Sequence, residues 1–274
     1  MSIVAISQAL GSLGDEIGRE VARARGYAYA DREIVLQAAE RFGRRVSELE
    51  HATEERPTLW DRFTDTTRRY RAYVEAIVLQ MAARDAVVIS GRGAPFLLAS
   101  VRHALRVRIT APERVRITRM ERRLGVDTEA AADLVRQSDR ERAARVRFLY
   151  HVDWDDPLLY DLVINTDRLD TLAGVRLIQA SLEAERCQPT PESLREVRDL
   201  ALAAEVTAVL VANPLTQPLH IAITCVDGHV SLRGAAVREE ERRAAEETVS
   251  QIAGVTAVTN EIVVTSAPPY RLGV

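Results

Sequence analysis

The sequence predicts an α/β chain, a parallel sheet covered by helices on both faces, followed by a small α+β unit of two helices and three strands. Three observations carry that expectation. Short apolar runs at 3–6, 86–90, 105–110 and 160–165 alternate with amphipathic helical stretches, the pattern of strands buried on both faces. The run Cys187-Gln188-Pro189-Thr190-Pro191 breaks the alternation. Beyond it the order changes to a helix, a hairpin and a final helix–strand pair.

The first apolar run leads into Gly11-Ser12-Leu13-Gly14 and then an amphipathic stretch over 15–25. Strand, glycine turn and helix form the layout in which backbone N–H groups at a helix N-terminus cradle phosphate. A lysine ordinarily follows the last glycine; this chain has Asp15 there, then Glu16, and its 37 basic residues are all arginine. Gly26 and residues 27–30 read as a turn and a short extended piece, and Asp31-Arg32 opens a helix to about residue 42. Ser47-Glu48-Leu49-Glu50 is a capping box for a further helix. Residues 55–65 are mixed around Pro57 and Trp60, and 67–84 place Tyr70, Tyr73, Val74, Ile77, Val78 and Met81 on one helical face.

The strand at 86–90 ends at Gly91-Arg92-Gly93. After the strand at 105–110, Pro112 suits the first turn of a helix to about 124. Gly125 stops that helix, and Asp127 or Thr128 caps a long one to about 150. A loop at 153–157, a strand at 160–165 and a helix at 170–185 complete the first unit. Ligands of parallel sheets gather at the carboxyl ends of the strands, where the 11–14 turn, Asp31 and the 91–93 turn all fall.

The second unit reads as a helix over 191–212, strands at 219–226 and 229–234 joined at Asp227-Gly228, a charged helix over 239–252 and a strand over 255–264. Gly228, Gly234 and Gly254 are expected at turns with positive φ. Nothing in 193–266 forms a catalytic set, and His220 and His229 read as ordinary surface residues, so this unit predicts binding rather than chemistry. The expected organisation is a domain over 1–186, a linker at 187–192, a second domain over 193–266 and a flexible tail at 267–274.

Composition narrows the function classes. The net charge is −3, yet residues 102–147 hold 13 Arg against 7 acidic residues, while 193–274 hold 7 Arg against 10. A basic segment in a near-neutral chain suits a small polyanion better than a long nucleic acid; solvated helix faces with intrahelical ion pairs are the other account of it. Two cysteines give no disulfide framework and no metal spacing. His151, Asp153, Asp155 and Asp156 read as an acidic turn, and no metal site is expected. Gly11, Gly14 and Gly18 do not fit G-x-G-x-x-G. No run reaches the roughly 18 apolar residues of a membrane span, no signal peptide is expected, and the compartment read from these features is the cytoplasm.

Two resemblances follow from these motifs. Residues 1 to about 186 resemble the cytidylate kinase-like branch of the phosphate-loop nucleoside monophosphate kinases. The resemblance is carried by Ile6-Ser7 with Gly11-Ser12-Leu13-Gly14-Asp15-Glu16-Ile17, Gly26-Tyr27, Tyr29-Ala30-Asp31-Arg32-Glu33-Ile34 and Ile89-Ser90-Gly91-Arg92-Gly93-Ala94. It continues through 111–117, Asp139-Arg140-Glu141-Arg142 and 153–166. Residues 193–266 resemble a BON domain, on 226–234 and on Gly254-Val255 with Val258-Thr259-Asn260. The implied fold is a three-layer α/β/α phosphate-loop domain with a lid, plus the small α+β module.

The first resemblance implies ATP as donor, Mg²⁺ where activity is retained, and CMP or dCMP as acceptor. It implies that Gly11, Ser12, Leu13, Gly14, Asp15 and Glu16 meet the donor phosphates, and that Asp31, Arg32, Arg92 and Asp139 meet the acceptor. Arg92, Arg119 and Arg142 would act on the transferring phosphoryl group, with Arg116 joining the lid. Relatives of this branch often replace the lysine with arginine, so Asp15 is the sharper departure. A carboxylate about 4 Å from a phosphate costs on the order of 4 kcal/mol at an effective dielectric near 20, so Asp15 must turn away, cap the helix or engage Mg²⁺. Two accounts of the 11–14 loop therefore stay open, a phosphate cradle and a structural turn; Arg92 is likewise either a phosphate fork or an ion-pair partner. The BON resemblance implies a membrane surface, a ligand or a protein partner, with the net acidic charge of the unit opposing anionic lipid. The chain as a whole is then a kinase, an inactive nucleotide sensor or an adaptor.

Overall fold

The computed structural model describes residues 2–45 and 65–265; the expected capping box at 47–50, the stretch around Pro57 and Trp60, and the tail at 267–274 lie outside the described residues. Five strands, β1 (Ile3–Gln8), β2 (Ala28–Ala30), β3 (Val87–Ser90), β4 (Ala104–Thr110) and β5 (Leu162–Asn165), form a parallel sheet in the order β2-β3-β1-β4-β5. β1 is central and buried at every residue. Its alternate side chains enter different cores, as the two-residue period of a strand dictates. Ile3 and Ala5 join Val87 and Ile89 beneath α2 (Glu33–Arg41) and α3 (Asp65–Ala83). Val4 and Ile6 join Val88, Leu105 and Val107 beneath α1 (Gly14–Arg25) and, with Val175 and Ile178, α7 (Thr171–Leu182). The sheet is therefore a middle layer between helices, as the apolar strand runs predict.

Between β3 and β5 lie a single turn, α4 (Ala94–Leu97), and the two helices α5 (Glu113–Leu124) and α6 (Thr128–Tyr150). Gly125 ends α5 with φ +67°, and the Asp127 carboxylate caps α6 by accepting from the Ala130 N–H at 2.8 Å. Both boundaries agree with expectation.

α8 (Pro191–Ala212) opens with a capping box in which Thr190 and Ser193 bond reciprocally. One stripe of α8, with Val197, Ala201, Ala204, Ala208 and Val211, enters the same core as α3. Another, with Val206 and Leu210, packs on the C-terminal unit. That unit holds β6 (Ala222–Val226), β7 (His229–Ala236), α9 (Glu239–Ser250) and β8 (Ala257–Val264), with β6 and β7 antiparallel and β7 and β8 parallel. The expected first strand starts three residues late: Leu219 is buried ahead of it as a core anchor. Gly228 and Gly254 have φ of +79° and +95°, as expected at turns. Gly234 does not; it lies within β7, where a Cβ would sit 2.6 Å from the His220 carbonyl oxygen, so close backbone approach is what requires glycine there.

Candidate active site

The glycine turn joins β1 to α1. Gly11 has φ +76°, and a Cβ on it would stand 2.9 Å from the Arg116 carbonyl oxygen. Leu13 adopts φ 64° ahead of the helix, and no side chain caps α1. The helix N-terminus thus keeps N–H donors without a side-chain acceptor. Two turn carbonyls are held by neighbours: Thr166 Oγ1 donates to the Ser12 oxygen at 2.9 Å, and Arg119 Nη1 donates to the Gly11 oxygen at 3.2 Å. Ser12 Oγ is buried with no hydrogen-bond partner.

Two cavities open at the carboxyl end of the sheet. The first, about 390 Å³, is lined by the 8–16 segment together with Arg119, Arg122, Arg123 and Arg142. The second, about 320 Å³, is lined by Asp31, Arg32, Tyr70, Arg92, Arg145 and Trp154, among others. Gln8, Asp15 and Arg142 line both and so form the wall between them.

Asp15 sits in this wall. Its Oδ1 accepts from Gln8 Nε2 at 2.5 Å, and the same amide group reaches Ser90 Oγ at 3.3 Å. The Gln8 side chain lies against Gly14, where a Cβ would fall 2.1 Å from Gln8 Oε1. Of the three courses open to Asp15 from sequence, the structure shows it held by Gln8 rather than capping α1.

Arg142 offsets that carboxylate. Its Nη1 donates to the Gln8 carbonyl at 2.8 Å. Burial lowers its pKa, and the neighbouring guanidinium groups of Arg145 and Arg108 lower it further, against Asp15 and Asp139. Crowded cations of this kind draw an anion. Arg108 is buried, stacked 3.6 Å over the Trp154 ring and bonded to Asp155 at 3.0 Å, with Nη1 left without a partner. The Trp154 indole N–H donates to Ser7 Oγ at 2.8 Å, fixing the ring at the edge of the second cavity.

Arg92 is presented by three successive left-handed residues, Gly91, Arg92 and Gly93, with φ of +76°, +51° and +73°. The Tyr150 hydroxyl donates to the Arg92 carbonyl at 3.2 Å and occupies the space a Cβ on Gly93 would need. The Arg92 guanidinium stands beside the Tyr70 hydroxyl and Asp31. The Asp31 carboxyl is pushed up by burial and by the nearby Asp15 carboxylate, with Arg92 opposing. Tyr29, behind this wall, is pushed up to about 12 by burial.

Gly11 through Glu16, Asp31, Arg32, Arg92, Arg119 and Arg142 are thus brought to the two cavities. Arg116 and Asp139 line neither. The expected place for Arg116 in a lid is corrected: it is buried, bonded to the Ala111 and Leu10 carbonyls and forked onto Asp139 at 2.6 and 3.0 Å. Arg119 reaches the first cavity, yet its hydrogen bonds go to Gly11 and Thr166. Gln8, Arg122, Arg123 and Arg145 also line the cavities without belonging to any site expected from sequence, and Trp154 falls in the 153–166 stretch with no role attached to it. Trp154, an aromatic inside an acidic loop, was the legible signal; Gln8 had none, because its role depends on a side chain seven residues away.

The sheet order and the glycine turn after β1 define a phosphate-loop kinase-like domain joined to a small α+β module. The family model described as cytidylate kinase-like matches residues 3–168, well over half of the chain, and the chain belongs to that family. A BON domain model matches residues 198–266. The cytidylate kinase of Thermoplasma acidophilum is 27% identical over 167 residues, covering 60% of this chain and 83% of that protein. That of Pyrococcus horikoshii is 26% identical over 182 residues, covering 66% and 88%. An uncharacterized protein from Eubacterium ventriosum, at 20% identity, superposes with a TM-score of 0.55 over 66% of this chain and 98% of its own, a likeness of fold. Among the described residues no helix is long and apolar enough to cross a membrane.

Proposed function

We propose that this chain binds a nucleoside triphosphate in the first cavity and a nucleoside monophosphate in the second, and transfers a phosphoryl group between them slowly. By likeness to the cytidylate kinases, ATP is the donor and CMP or dCMP the acceptor. The observation that carries this reading is the pair of cavities sharing Arg142 in one wall. Phosphoryl transfer needs alignment and charge neutralisation more than covalent help from the protein. The uncapped start of α1 and the orphaned Ser12 hydroxyl suit the donor phosphates. Arg122 and Arg123 are exposed at the same cavity. Arg92 and Arg32 suit the acceptor phosphate.

Mg²⁺ fits the first cavity as an ion shared with the phosphates. Asp15 and Glu16 are the carboxylates lining it, and among the described residues no group of three His, Cys, Asp or Glu could hold a metal. There it would neutralise phosphate charge. Asp15, in place of a cation, opposes the donor phosphates and favours a second reading, a nucleotide sensor with little turnover. A panel of ATP with each nucleoside monophosphate separates the two. Product formation, abolished by Arg92→Ala, supports the kinase. A rise in melting temperature with ATP or CMP, with no product from any acceptor, leaves the sensor. No response to any nucleotide removes both. The C-terminal module we assign to binding, of a partner or a surface.

A further inference from the structure

We propose that the C-terminal module forms part of the acceptor site by bracing the α2–α3 arm, with Glu205 on α8 as the positioning residue. This rests on the assignment of the second cavity to the acceptor. Tyr70 on α3 and Asp31-Arg32 at the entrance to α2 line that cavity. α2 and α3 rest on one face of the sheet, and what packs on their other side shares in setting their position. α8 packs there, with Ala201, Ala204 and Ala208 in the α3 core.

At its centre Glu205, a carboxylate with a side chain only 9% exposed, is clasped by three groups from the arm. Arg41 at the end of α2 donates to Oε1 through Nε at 3.1 Å and Nη2 at 2.7 Å, and Gln80 on α3 donates to Oε2 at 3.3 Å. Arg41 Nη1 also donates to Gln80 Oε1 at 2.9 Å, which closes the ring. At the other end of α3, Arg68 donates to the Gln217 and Leu219 carbonyls at 2.9 and 2.5 Å, just before β6. Both ends of α3 are thereby tied to the module, while among the described residues α1 and the glycine turn show no such tie.

A buried carboxylate satisfied from two helices fixes their relative position more sharply than apolar contact, because its loss leaves oriented donors without an acceptor. The clasp also borders a cleft of about 890 Å³, walled by Leu202, Arg198 and the turns at Asp227-Gly228 and 251–254. A small carboxylate in solution can therefore reach the place of the deleted one.

The test uses the full chain carrying Glu205→Ala, with Glu205→Gln as the milder variant that keeps an acceptor for Arg41. Hydrogen exchange should quicken in 33–41 and 68–83 and stay unchanged in 14–25. CMP affinity should fall about tenfold or more, the usual size of such couplings, with ATP affinity unchanged. Glu205→Gln should lie between, and acetate should restore part of the Glu205→Ala loss. Unchanged exchange in the arm overturns the brace, whatever the nucleotides do. So does a loss shared equally by CMP and ATP, which marks general destabilisation. A wild-type chain that ignores CMP refutes the acceptor assignment instead, and the exchange result still decides whether α8 holds the arm.

Discussion

Replacing Asp15 by Asn tests the electrostatics of the site with the least disturbance to the fold. The amide is isosteric and keeps an oxygen to accept from Gln8 Nε2, so the wall between the cavities is retained. What disappears is one negative charge beside the proposed place of the donor phosphates. A unit-charge pair about 4 Å apart is worth on the order of 4 kcal/mol at an effective dielectric near 20. Asp15 is half-buried and Arg142 already opposes it, so roughly a third of that, about 1.4 kcal/mol, is the expected relief. This corresponds to about tenfold tighter ATP binding. Asp15→Arg inverts the charge and should exceed that gain, with turnover rising alongside. Titration calorimetry with ATP, with and without Mg²⁺, reads both variants against wild type. Weaker ATP binding in Asp15→Asn, confined to the Mg²⁺ series, would refute the repulsion argument and make the carboxylate a metal partner.

Arg92→Ala should abolish the CMP response while sparing the ATP response, a loss of about 10- to 100-fold in CMP affinity for one charge-assisted fork, read by thermal shift with each nucleotide alone. Gly93→Ala places a methyl group 2.1 Å from the Tyr150 hydroxyl oxygen and 2.3 Å from its ring on a backbone at φ +73°, and should destabilise the fold by about 1–3 kcal/mol in urea melts. Asp31 has a raised pKa in the folded chain, so its ionisation opposes folding. Asp31→Asn should therefore raise the melting temperature at a pH above the raised folded value, and the gain should fade as the pH drops through that value towards about 4. A gain that persists in acid would show that some other contact of Asp31 is responsible.

Much of this arrangement is legible in the sequence because it follows from local rules. The strands are apolar runs, α5 and α6 end and begin at Gly125 and Asp127, and Gly11, Gly91 and Gly93 stand where φ is positive, although Leu13 and Arg92 share that region without being glycine. The break at 187–191 shows where the chain changes its pattern, but not which core the next helix enters. α8 serves both units because Val197, Ala201, Ala204 and Ala208 form one apolar stripe while Val206 and Leu210 form another. A helix apolar on two faces is the readable sign of burial on both sides. The clasp on Glu205 was beyond reach, since its partners Arg41 and Gln80 are 164 and 125 residues away.

The arginines show why a count of charge is a poor guide to a site. The basic stretch from 102 to 147 suggests a ring of cations over the glycine turn, yet folding assigns many of them before any ligand arrives. Arg106 pairs with Asp161, Arg108 with Asp155 and Trp154, Arg116 with Asp139, and Arg136 with Glu113. Arg119 is used on carbonyls and a hydroxyl of the turn and its neighbour. A guanidinium already forked onto a carboxylate has little left for a phosphate, because both its charge and its directed N–H groups are taken. Among the cations at the cavities, Arg122 and Arg123 stand at the close of α5, Arg92 on its left-handed turn, and Arg142 within α6 in the shared wall. Arg142 shares that wall with Asp15, so on the proposed kinase reading the charge between the two cavities is set by this one opposed pair rather than by the surplus of arginine around it.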